Sequence, residues 1–293
     1  MTAERKKGLL FASAGSIFWG SSGIAGQFLL INENIAPEWL TFFRLLCAGF
    51  LLLLLSRFLQ GNISAIWKDR RDRRTLLIFS AFGMLGTQYG YFASIRCSNA
   101  PTATILEYLM PILIIFWYCL SEKRWPRTVE IFCALFAITG TALIATGGDF
   151  RSLSISGKAL FWGLLSALAC ALYTVEPVGI IKKYGAPLVV GWGMFLASFV
   201  LLPVVALTPF TGTVDMPVLL SFAYVVLFGT ICSFVLYLGS VAYILPTEAS
   251  IISAIEPLSS IIFSFLIFHL TFGFWELMGV ALIILAVAVV ARK

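Results

Sequence analysis

The sequence predicts an all-α membrane protein of ten transmembrane helices, built as two inverted five-helix repeats with both termini cytoplasmic. Three observations carry that expectation. Hydrophobic residues make up 60% of the 293 and charged residues 12%, with a mean hydropathy of +0.98, whereas soluble domains run at about 45–50% apolar and about 25% charged. The apolar residues fall into ten runs, each near the roughly 20 residues that cross a bilayer. A stretch carrying an acid and a proline also occurs twice, as Glu107 with Pro111 in TILEYLMPILIIFWYCLSE and as Glu256 with Pro257 in SIISAIEPLSSIIFSFLIFH. The two prolines stand 146 residues apart, half the chain.

In chain order the predicted crossings are 8–31, 37–60, 75–97, 101–121, 127–147, 157–181, 187–208, 217–240, 246–268 and 273–291. The first follows the charged start MTAERKK and is longer than the 7–15-residue apolar core of a signal peptide, so it is expected to stay in the mature chain. Breakers set the remaining ends: Asn32 to Pro37, Asn99 to Pro101, Trp125-Pro126, Gly147-Gly148, Gly185 to Pro187 and Pro209 to Pro217. The longer polar connection, Arg57 to Arg74, holds a cluster of cations.

Those cations set the orientation. A cytoplasmic N-terminus puts sixteen lysines and arginines inside (Arg5, Lys6, Lys7, Arg57, Lys68, Arg70, Arg71, Arg73, Arg74, Lys123, Arg124, Arg127, Lys182, Lys183, Arg292, Lys293) and three outside (Arg96, Arg151, Lys158). The net charge of +6 is therefore a topological signal, and no nucleic-acid partner is expected. Five crossings per half is an odd number, so the second half enters the membrane from the opposite side. This divides the chain into repeats at 1–148 and 149–293 and puts a shared site near mid-membrane between them. Gly86-Thr87 matching Gly229-Thr230, and Pro101-Thr102 matching Pro246-Thr247, extend the repeat beyond the prolines.

The segments GLLFASAGSIFWGSS, PEWLTFFR, ILEYLMPIL followed by SEKRWP, and ISAIEPLSSIIFSFL, in that order across the chain, resemble the EamA repeat of the drug/metabolite transporter superfamily. The resemblance implies ten helices, a central substrate cavity and alternating access, with amino acids, toxic organic cations or other small metabolites as solutes, usually moved outwards. The chain departs from the common pattern in two places. His269 stands where the first half has Glu122, and Glu107 stands where many relatives have glutamine.

Within the crossings, Glu107 and Glu256 are the residues that need a reason, since an ionised group at mid-helix costs roughly 2.5–3.5 kcal/mol on insertion scales. Glu256 is expected about 15 Å into its helix and Glu107 about 9 Å. Pro111 and Pro257 are expected to kink these helices and to free the carbonyls of Glu107 and Ser253 beside the carboxylates. Arg44 falls at the depth of Glu107, so Glu107 either pairs with it or faces a substrate. Tyr108, Trp19, Tyr89, Tyr173 and Trp192 are candidate substrate-binding aromatics, because aromatic rings deep in a crossing face protein or water rather than the interface. Glu130 and Glu276 suit helix N-termini, and Glu176, Glu248 and His269 sit at helix ends. Six isolated cysteines and one histidine predict neither metal nor cofactor, and no catalytic motif predicts an enzyme.

What remains is secondary transport in the cell membrane. The expected activity is export of a small amphipathic metabolite, an amino acid or organic cation, with proton-coupled import of a similar solute as the alternative. Protons are possible coupling partners, and the sequence leaves monomer or homodimer open.

Overall fold

The computed structural model describes residues 3–60, 62–121, 123–149, 154–240, 243–244, 252–253 and 255–290. Glu122, Arg151, Pro246, Thr247, Glu248, Arg292 and Lys293 lie outside them. The described chain is helical throughout. Six helices are long and apolar enough to cross a membrane, within Ala3–Asn32, Pro37–Leu59, Thr128–Thr146, Gly157–Val175, Ala186–Leu207 and Met216–Tyr237, and shorter apolar helices accompany them. Their outward faces carry Phe58 at 80% exposure and Phe82 at 67%. Such side chains need lipid around them.

Helix α1 (Ala3–Gln27) is prolonged by a π-turn, Phe28–Asn32. Helix α2 (Pro37–Gln60) starts on its proline, which lacks only an N–H that has no partner in a first turn. Helix α3 (Arg70–Ile78) is capped by Asp69, whose carboxylate accepts the amides of Arg71 and Asp72 at 2.7 and 3.2 Å. It continues through a π-turn, Phe79–Met84, into α4 (Leu85–Cys97). Asn99 caps α5 (Ala100–Glu107), and α6 (Met110–Ser121) follows. Helix α7 (Thr128–Thr146) begins where Glu130 accepts the Arg127 amide at 2.7 Å and pairs with Arg124 at 2.8 Å; it ends on Gly147 at φ 59°. Ser156 caps α8 (Gly157–Val175), which leads to α9 (Val178–Tyr184) and α10 (Ala186–Leu207). Asp215 caps α11 (Met216–Val226), which runs through a third π-turn, Leu227–Cys232, into α12 (Ser233–Ser240). Helices α13 (Ile255–Phe268) and α14 (Phe274–Val290) complete the chain, the latter with Glu276 accepting the Gly273 amide at 2.7 Å.

Three expected crossings are interrupted. The fourth breaks at Tyr108-Leu109, because Pro111 has no N–H for the Glu107 carbonyl; the chain tightens there, with Leu109 N–H bonding Leu106 O at 3.2 Å. The sixth breaks at Glu176-Pro177. In the ninth, Glu256 N–H takes the Ser253 carbonyl at 2.9 Å, so the carbonyl expected to be free is occupied and Glu256 is the second residue of α13. Both prolines thus stand in the first turn of a helix rather than within one.

Packing runs largely between the first and second parts of the chain. Helix α2 lies on α10, α7 on α14, α4 and α5 on α8, and α12 and α13 on α1. Lipid supplies no hydrophobic drive between helices, so small residues and hydrogen bonds set the contacts. At α7–α14 a Cβ on Gly140 would stand 2.6 Å from the Gly279 carbonyl oxygen, and one on Gly279 would stand 2.5 Å from that of Gly140. At one end of the bundle Asp72 accepts Lys183 Nζ at 2.6 Å and Tyr184 Oη at 2.7 Å, tying α3 to α9. Nearby, Trp192 donates to Ile63 O at 2.8 Å and packs edge-on against Trp67.

Two outcomes follow from this packing. Gly140→Val is expected to force α7 from α14 and cost about 1–3 kcal/mol, read as a lowered Tm of the detergent-purified protein. The Lys183 bond, then that of Tyr184, holds the Asp72 carboxyl below the ordinary carboxylate range, and Asp72 raises the Lys183 ammonium. A depressed acid stabilises above its unfolded value and loses that contribution as pH falls through the folded one; a raised base loses its contribution as pH rises through its folded value. The Tm difference between wild type and Asp72→Asn should therefore be flat around neutrality and vanish in acid.

Candidate functional site

Arg44, two turns into α2, is only 4% exposed. Its Nε donates to Thr230 Oγ1 at 2.7 Å and its Nη2 to Gly229 O at 3.2 Å, while the guanidinium carbon sits 5.0 Å from the centre of the Phe92 ring. The acceptors exist because of the α11–α12 π-turn. A widened turn withdraws carbonyls from the helical ladder, and Thr230 is oriented by its own bond to Val225 O at 2.9 Å. Among the described residues Nη1 has no hydrogen-bond partner, and Arg44 forms no ion pair.

Glu107, the last residue of α5, instead accepts the Ser166 hydroxyl of α8. Of the two arrangements left open by the sequence, the direct Arg44–Glu107 pair is not formed. The Glu256 backbone carbonyl accepts the Ser259 hydroxyl at 2.8 Å, but its carboxylate accepts no hydrogen bond among the described residues. All three groups nevertheless lie within electrostatic reach of one another, together with Tyr91. Two carboxylates and one guanidinium thus share one buried region, the acids where α5 packs on α8 and α13 and the guanidinium entering from α2 against the α11–α12 turn.

An aromatic floor adjoins the charges. The Tyr108 hydroxyl meets Ser253 Oγ at 2.8 Å, and Tyr237 also hydrogen-bonds Ser253. Trp19 packs on Tyr237 and Phe234 at 5.0 and 5.2 Å, and Tyr173 stacks on Phe79 at 6.2 Å. Of the residues singled out in the sequence, Glu107, Glu256, Tyr108, Trp19 and Tyr173 come together here.

Tyr89 and Trp192 do not. Tyr89 donates to Glu38 at 2.7 Å at the start of α2, and Trp192 is committed to the α2–α3 connection. The tyrosine that reaches the charges is Tyr91, whose hydroxyl lies 3.0 Å from Thr104 Oγ1 and against Gly23. Residues two positions apart on a helix, as Tyr89 and Tyr91 are, point about 200° away from each other, and Gly83, Gly86 and Gly90 mark the face of this helix turned to α8. That glycine register was the signal available for placing Tyr91. Ser166, Thr230 and Ser253 carried no comparable mark. Pro111 is the second residue of α6, its ring outside the described side chains, and Pro257 is buried in the first turn of α13. His269 ends α13 at φ 54°, exposed.

A separate cavity of about 260 Å³, lined by Leu29, Trp39, Phe43, Phe210 and Phe222, is apolar and contains none of the charged groups.

The comparisons with known proteins agree with this architecture. The model of the EamA-like transporter family matches residues 6–146 and 157–292. YicL of Salmonella typhimurium, described as an uncharacterized inner membrane transporter, is 38% identical over 287 residues, covering 98% of this chain and 95% of its own. YdeK of Bacillus subtilis, an uncharacterized transporter, is 26% identical over 273 residues, or 90% of each chain. The WAT1-related protein At3g02690, chloroplastic, of Arabidopsis thaliana is 25% identical over 93% of this chain and 66% of its own. A solved structure described only as "Crystal structure of protein" shares the fold, with a TM-score of 0.65 at 15% identity over 97% of this chain and 96% of that one. With the family model matching both halves, this multi-pass membrane protein belongs to the EamA-like transporter family.

Proposed function

We propose that the chain is a secondary transporter of the inner membrane, with ten crossings and cytoplasmic termini, that exports a small amphipathic metabolite by alternating access between two inverted halves. Among such solutes, a zwitterionic amino acid is the best fit. The observation that carries this reading is the pair of unspent opposite charges. Among the described residues Arg44 is seated without a carboxylate partner and its Nη1 has no acceptor, while the Glu256 carboxylate, within electrostatic range of it, accepts no hydrogen bond. A solute carboxylate satisfies the first and a solute ammonium the second, and each bond replaces water with a charge-assisted partner. An organic cation engages the acids but leaves Arg44 facing a like charge. An anion leaves Glu107 and Glu256 uncompensated. The aromatic floor of Trp19, Tyr108 and Tyr173 offers apolar and π surface for a side chain.

The membrane assignment and transporter class rest on the family and on YicL; those likenesses name no catalyst. Exchange between opposed halves is supported by the packing, in which α2 meets α10 and α7 meets α14, while α4 and α5 pack on α8 and α12 and α13 on α1.

Counterflow in proteoliposomes loaded with amino acids, quaternary ammonium compounds or sugar phosphates tests the substrate class. Zwitterions are expected to exchange, and exchange restricted to quaternary ammonium compounds rejects the zwitterion reading. Glu256→Gln is expected to raise KM roughly tenfold to a hundredfold, the loss of one charge-assisted bond. Thr230→Val, which removes a partner of Arg44 but no charge, should weaken transport without changing which solutes compete. Uptake into right-side-out and inverted vesicles distinguishes export from proton-coupled import.

A further inference from the structure

The basic segment at the N-terminal end of α3 is not consumed by anything in the protein. Lys68, Arg70, Arg71, Arg73 and Arg74 are all exposed, and among the described residues their side chains make no hydrogen bond or ion pair. Both acids of the segment are engaged elsewhere. Asp69 is committed to capping α3, and Asp72 is turned to Lys183 and Tyr184. The segment is also held rigidly. Ile66 is fully buried, Trp67 meets Trp192, and Trp192 is bonded to Ile63 O. Five cations are thus held in place without a direct ion pair among the described residues, Arg71 alone acting at longer range on Asp72.

The same helix indicates what lies beneath them. Arg70, Arg73, Arg74 and Leu77 follow the i, i+3, i+4, i+7 spacing of one helical face. Leu77 is 47% exposed, and Phe82, beyond it on the same helix, is 67% exposed. One continuous face therefore passes from guanidinium groups to bare apolar side chains as the helix enters the bundle. That profile matches a phospholipid, with a phosphate above and acyl chains below. A soluble anion or an acidic protein would use the cations and leave the apolar continuation unmatched.

We propose that this face is a docking surface for anionic phospholipid, with the headgroup phosphate on Arg70, Arg73 and Arg74 and an acyl chain along Leu77 and Phe82. Guanidinium groups suit phosphate through paired N–H donors. The lipid then sits beside the Asp72 tie between α3 and α9, where the two halves of the chain are joined.

The test uses the purified full-length protein with dioleoyl phosphatidylglycerol or dioleoyl phosphatidylcholine, read by native mass spectrometry and by thermal shift. Wild type is expected to retain and be stabilised by phosphatidylglycerol over phosphatidylcholine, with the preference fading at high salt as screening predicts. The triple variant Arg70→Gln, Arg73→Gln, Arg74→Gln should lower phosphatidylglycerol affinity on the order of a hundredfold. Lys158→Gln, in the first turn of α8, should leave it unchanged. Equal retention of the two lipids by wild type overturns the proposal, as does an equal thermal shift from inorganic phosphate. Persistence of the preference in the triple variant does the same. Should that variant fail to insert, the wild-type lipid and salt comparisons still decide.

Discussion

The interior is organised around the burial of one guanidinium without a carboxylate beside it. A charge in that position must be answered, and here the answer is backbone geometry. The π-turn of Leu227–Cys232 exposes the Gly229 carbonyl and positions the Thr230 hydroxyl, and both go to Arg44. Because those acceptors are neutral, the positive charge is solvated rather than cancelled. It stays within electrostatic reach of Glu107 and Glu256 without a direct bond to either. A direct pair with Glu107 would have spent it.

The helix interruptions serve the same end. Tyr108 stands at the break between α5 and α6, and Glu256 at the start of α13 just past the turn at Ser253. Chain ends within a bundle place backbone dipoles and side chains where a continuous helix would present only its flank. The two breaks face each other through the Tyr108–Ser253 contact, so the polar centre is built where both halves are locally unwound.

Much of this was legible in the residues. Long apolar runs ending at Asn99, Ser156, Gly147 and Asp215 mark helix boundaries because caps and breakers act within a few residues of themselves. Glu107, Glu256, Tyr108, Trp19 and Tyr173 announced themselves as polar or aromatic groups in apolar surroundings. What escaped was rotational and long-range. The π-turns leave no compositional trace, yet each shifts the face that a helix presents. Trp192 looked deep by residue count, but its indole N–H is claimed by the chain at Ile63, a partner more than a hundred positions away. Ser166 and Thr230 are ordinary hydroxyl residues until the fold sets them against a charge.

The glycine seam between α7 and α14 bears on how the two halves can differ. Gly140 and Gly279 meet each other's carbonyls reciprocally, and each lies in a different one of the two segments that the family model matches. The α4–α8 and α12–α1 contacts share no residues. A substitution at the glycine seam must suit α7 and α14 together, whereas one at α4–α8 leaves α12–α1 untouched. Glu107 and Glu256 lie away from that seam, and their carboxylates differ: one takes the Ser166 hydroxyl and the other accepts no hydrogen bond among the described residues.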